Sequence, residues 1–82
     1  GLTVLETWRL AGGDTLKAEK LPRESLNLML PLLRHREERS DLVADGMTFE
    51  PGDHVEWLVF AERAEEARAW LHEHGWLPPE ST

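Results

Sequence analysis

The side chains able to do chemistry in this chain are four histidines, sixteen carboxylates and nine lysine or arginine cations among 82 residues, with no cysteine. Absent cysteine excludes disulfides, thiolate nucleophiles and thiolate metal sites. His72 and His74 stand two apart in a stretch of helical spacing and so point apart; a helical zinc pair needs a spacing of four. His35 and His54 belong to separate segments, so no converging metal site is expected. No acid stands in an apolar frame that would raise its pKa for acid–base work. Glu56, alternating with Val55 and Trp57, is expected to face solvent or a partner. There is no Ser-His-Asp or Gly-x-Ser-x-Gly pattern, and the pair Gly12-Gly13 lacks the further glycines and lysine of a phosphate loop. The reading is a non-enzyme with no catalytic residue, no metal and no cofactor.

Charge and size narrow the partners. The net charge is −7, which repels a phosphate backbone and an anionic lipid surface. Neither nucleic-acid binding nor direct membrane insertion is expected. The longest apolar stretch, residues 28–33, is broken by Pro31 and is far shorter than the ~20 residues of a membrane span. No basic region followed by an apolar one opens the chain, so no secretory signal is read. The chain starts on Gly1, as expected of a piece of something longer. A chain of this length buries a thin core, and leftover apolar surface favours a partner.

These side chains must be positioned by a few elements. Residues 2–10 mix Thr, Val, Leu and Trp and predict a strand, broken by Ala11-Gly12-Gly13-Asp14. A short helix is expected from Asp14 to Lys20, stopped at Leu21-Pro22. Residues 26–34 predict a second strand, apolar on both faces over part of its length; Pro31 inside it implies an edge, a bulge or a strand end. Residues 35–40 read as a charged connector. Asp45-Gly46 is a turn signal, Met47-Thr48-Phe49 a short alternating segment, and Pro51-Gly52-Asp53 a tight turn with Gly52 at positive φ. Residues 54–60 are the clearest strand, with Val55, Trp57 and Val59 on one face and Leu58 and Phe60 on the other. Residues 62–74 are the clearest helix, with Ala64, Ala67 and Leu71 at helical spacing and Gly75 at its end. Trp57 and Trp70 are assigned to the core, Trp8 and Trp76 to a partner surface. The fold class is α+β: a small mixed sheet in the order strand, short helix, three strands, C-terminal helix. Residues 1–77 form a single domain and residues 78–82 a flexible tail.

Four segments in this order carry a family resemblance: LKAEKLP at 16–22, LNLMLPLLR at 26–34, GMTFEPGD at 46–53, and the strand and helix that follow. Together they resemble the C-terminal RCK domain, also called TrkA-C, over nearly the whole chain. The most specific element is Phe49-Glu50-Pro51-Gly52-Asp53 running into the strand at 54–60. The resemblance implies a cytoplasmic regulatory domain of potassium channels, potassium uptake systems or cation–proton antiporters, which pairs as a homodimer. It also implies a small-molecule ligand of nucleotide type between the paired domains. Asn27 and Leu28 resemble the pair that lines this cleft, and Arg34, which ends the apolar strand, joins them as a ligand candidate. Gly52 and Asp53 are read as structural, with Asp53 holding the turn through backbone hydrogen bonds. The alternative reading is a protein–protein assembly domain with no small-molecule ligand.

Overall fold

A computed structural model describes residues 1–12, 16–17, 21 and 25–78. Its strands are β1 (Thr3–Leu10), β2 (Leu16–Lys17), β3 (Met29–Arg36), β4 (Arg39–Leu42), β5 (Thr48–Phe49), β6 (His54–Phe60) and β7 (Trp76–Leu77). A 3-10 turn at Ser25–Asn27 precedes β3. Another at Ala61–Arg63 runs into the helix α1 (Ala64–Glu73). Five strands form one sheet in the order β4-β3-β6-β1-β7, and β2 pairs with β5 in a separate ribbon. Every pairing among the described residues is antiparallel, so the five-stranded sheet is not the mixed one expected. The α+β class stands: among the described residues a five-stranded antiparallel sheet carries one α-helix near the C-terminal end.

β6 sits at the centre because its alternation is the cleanest in the chain. Val55, Trp57 and Val59 are fully buried while Glu56, Leu58 and Phe60 between them are not. Across the ladder Trp8 faces Val55 and Met29 faces Val59, and cross-strand partners share a face. α1 lays Ala67, Trp70 and Leu71 on that face. Phe49, Trp57 and Trp76 fill the centre edge to face, with centroids of Trp57 and Trp76 5.4 Å apart at 89°. Such pairs pack favourably through the ring quadrupole.

That packing corrects two assignments. Trp8 and Trp76, read as partner-surface residues, are core. Trp76 gets there because residues 76–77 form a strand against Arg9 and Leu10 of β1 instead of simply folding back on the helix. The perpendicular rings give so small a domain room for its indoles. The connector read at 35–40 is also different: β3 and β4 continue through it as a hairpin, with Arg36 opposite Arg39. Glu37 adopts φ 56° there, a conformation that sequence rules reserve for Gly or Asn. At 16–17 a strand replaces the helix expected from Asp14 to Lys20; the other residues of that helix, and the tail beyond Pro78, lie outside the described residues. The second strand starts at Met29, three residues later than expected, because residues 25–27 take the 3-10 turn. Pro31 stands beside a bulge: Pro31 pairs with Trp57 and Leu33 with Glu56, leaving Leu32 extra. A bulge suspends the regular ladder that a proline cannot serve.

The turn before β6 forms as the sequence implies. Asp53 N–H donates to the Glu50 carbonyl at 2.9 Å, Pro51 takes the second position and Gly52 the third, with φ 97°. Open space surrounds a Cβ built at Gly52, so a side chain there meets backbone strain and no clash. Gly52→Val is expected to cost more than about 1 kcal/mol, read as a lower midpoint in urea unfolding. An unchanged midpoint would contradict the backbone conformation.

Candidate functional site

The charged side chains of β3 converge on the turn that starts β6. Arg34 and Arg36, two apart on one strand, share the helix-covered face. Arg36 grips Asp53 with two bonds of 2.7 Å, from Nε to Oδ1 and from Nη2 to Oδ2. Glu50 N–H donates to the same Oδ2 at 2.8 Å, so Asp53 does hold its own turn. Both guanidinium groups donate to the Thr48 carbonyl, Arg34 at 2.9 Å and Arg36 at 3.3 Å. Arg34 also reaches Asp41 on β4 at 3.3 Å. The network thus ties β3, β4 and the β5–β6 connection together.

Asp53 is only 2 % exposed. Burial alone would push its carboxyl pKa up; the bonds from Arg36 and from Glu50 N–H outweigh that and hold it below the ordinary value. The same bond raises the Arg36 pKa. A second pair joins the helix to the sheet: Arg68 Nε donates to Glu6 Oε2 at 3.0 Å, and Trp8 Nε1 donates to Glu6 Oε1 at 3.0 Å. Burial pushes Glu6 up, and these donors bring it net below its usual value.

The residues assigned to a ligand cleft are spread over the fold. Asn27 is exposed on the 3-10 turn and lines a shallow cavity of about 340 Å³ with Leu2, Thr3, Phe60, Glu62 and Arg63. Leu28 is buried in the core. Arg34 stands seven residues beyond Asn27, roughly 20 Å along the strand direction. A single protomer therefore does not bring Asn27 and Arg34 together. Among the described residues, no three His, Asp or Glu converge as a metal site. His35 bridges Ser40 at 2.7 Å and Glu56 at 3.1 Å, while His74 stacks on Trp70 at 3.9 Å. No described helix is long and apolar enough to cross a membrane.

The sheet face opposite α1 is the other notable surface. Leu5, Leu58 and Leu30 lie in one cross-strand row, and Thr7, Glu56, Leu33 and Leu42 in the next. Leu5 is 55 %, Leu30 38 % and Leu42 75 % exposed. Apolar patches of this kind mark interaction surfaces in soluble domains. Sequence reasoning missed Arg36 and Arg68. Arg36 could have been found from its spacing of two from Arg34 on a strand; the partner of Arg68 lies 62 residues away, and no local signal points to it. No protein-family model, curated protein or solved structure matches this chain.

Proposed function

We propose that this domain is a cytoplasmic, non-catalytic regulatory module of a cation transport protein, of the potassium type, that senses a small molecule and pairs as a homodimer in a TrkA-C-like arrangement. The observation that carries the reading is the open sheet face: opposite α1 the sheet leaves Leu5, Leu30 and Leu42 exposed, and a module built to be assembled needs such a surface. The four segments that resemble the C-terminal RCK domain supply the transport context. The ion-pair network suits a structural role in such a module, because its charged groups bind one another and the backbone.

The assembly-only reading has its own support. The Arg34 guanidinium already serves Thr48 and Asp41, so the cation nearest to an anionic ligand's needs is engaged. Thermal denaturation with potassium, sodium, ATP, NAD and cyclic dinucleotides, each at millimolar concentration, separates the two. Sensing predicts a midpoint raised by several degrees with one of these compounds. No shift with any of them favours assembly alone.

A further inference from the structure

β1 has one satisfied edge and one open one. On the side of β6, Leu10 N–H donates to Asp53 O and Leu10 O accepts from Gly52 N–H, while Leu2 O accepts from Ala61 N–H. Backbone groups alternate along a strand, so the even-numbered residues of β1 serve β6 and the odd-numbered ones point the other way. β7 takes up that second side only at Arg9 and Leu10, and Ala11 N–H follows with Gly75 O. After Leu77 the chain continues with two prolines, which have no N–H to donate. Among the described residues, no strand pairs with the outward N–H and C=O groups of Thr3, Leu5 and Thr7. A groove of about 540 Å³ runs beside them, lined by Leu5, Glu6, Thr7, Trp8, Arg68 and Pro78.

We infer that this open edge of β1 pairs with the same edge of a second copy of the chain, antiparallel about a two-fold axis at Leu5, making one continuous ten-stranded sheet. The inference rests on the dimer reading above and names its surface. Three observations select a second copy as the occupant. The outward-bonding positions are symmetric: Thr3-Val4-Leu5-Glu6-Thr7 turned on Leu5 sets threonine against threonine and leucine against leucine, with Val4 against Glu6 between them. The register fits the space available, since pairing centred on Leu5 over residues 3 to 7 stops short of Pro78, which follows β7 beside Trp8. Charge permits it, too. In a chain of net charge −7, this segment carries one acid, Glu6, and its carboxylate is bound by Arg68 and Trp8. The other edge of the sheet, β4, is four residues long and carries Arg39 and Asp41, the pattern that blunts edge pairing. Joining the two β1 strands also continues the leucine row without a break, as Leu30, Leu58 and Leu5 of one copy meet Leu5, Leu58 and Leu30 of the other.

The test uses introduced cysteines in a chain that has none. Residues directly opposed in a hydrogen-bonded antiparallel pair have Cα atoms about 5.5 Å apart, within disulfide range. Leu58 and its copy would be three strand spacings apart, about 14 Å, and out of range. Light scattering of the unmodified chain at about 100 μM should give twice the monomer mass. On mild oxidation Leu5→Cys should run mostly as a covalent dimer and Leu58→Cys as a monomer, with circular dichroism of both unchanged. Doubled mass with cross-linking at Leu58→Cys and none at Leu5→Cys would overturn edge pairing while leaving a dimer held face to face. Cross-linking at both positions would overturn the single register. A monomer by light scattering would overturn the edge pairing and the dimer reading together.

Discussion

Replacing Trp57 by alanine is expected to remove about 3–5 kcal/mol of stability, a loss of the order of the whole stability of a domain this size at about 0.05–0.15 kcal/mol per residue. Trp57 is fully buried at the middle of β6, meets Trp76 edge to face and lies tilted at 55° to Phe49. Its removal leaves a cavity that backbone hydrogen bonds on both sides of β6 prevent from closing. Leu58→Ala, one residue along and on the open face, should cost under about 1 kcal/mol, as surface changes do. Urea unfolding of the two variants reads the contrast directly. With a slope near 1 kcal/mol/M, Trp57→Ala should shift the midpoint by several molar units or abolish the native baseline. Equal losses at 57 and 58 would contradict the assignment of the two faces.

Breaking the Arg36–Asp53 pair is the second large effect, and its signature is a dependence on pH. Arg36→Met leaves a buried carboxylate with one backbone donor, a loss of about 3 kcal/mol at neutral pH by analogy with other broken buried pairs; half-exposure of Arg36 makes this an upper figure. In the parent chain the native carboxyl is held below its ordinary value. Its stabilisation is therefore fully present above the unfolded pKa of about 3.9 and is lost as pH falls through the lower native value. In Arg36→Met burial outweighs the remaining donor and the native pKa rises, so acid favours that variant relative to the parent. The stability gap between the two should be widest above about pH 5 and narrow steadily toward pH 3. Denaturant midpoints measured across that range check it; a gap that stays constant with pH would mean that Asp53 is not the group responsible.

The parts of the fold legible in sequence are those whose signal is local. The strand at 54–60 shows in Val55, Trp57 and Val59 at alternate positions, the helix in its Ala64, Ala67, Leu71 spacing, and the turn at 50–53 in Pro-Gly-Asp. What could not be read depends on partners far along the chain. β7 is two residues long and has no period of its own; it is a strand because Leu10 pairs with Trp76. β2 exists because Leu16 meets Phe49, against a local preference for helix in Leu-Lys-Ala-Glu-Lys. The hairpin at Glu37 lacks the Gly or Asn that announces such turns, and the ladder on either side imposes the conformation. Of the candidate site, the structural role of Asp53 was legible from the turn itself. Its partner Arg36, 17 residues earlier, was not, since nothing in a single strand says which of its cations will face a given acid.

The sheet order has a consequence for how the chain acquires its shape. β1 precedes the other strands of the sheet, yet its ladder partner β6 ends at Phe60, which pairs back to Thr3. Among the described strands, the neighbours of β1 are β6 and β7, so its ladder waits for residues some fifty positions further along the chain. The β3–β4 hairpin is the local pairing that can form early, closing through two residues. Assembly must then wait for a long loop to close, the situation that slows folding from microseconds toward the millisecond-to-second range. Until β6 has been made, the threonine- and leucine-rich β1 lacks its ladder partner, and it is a segment from which a nascent chain would readily aggregate with its neighbours.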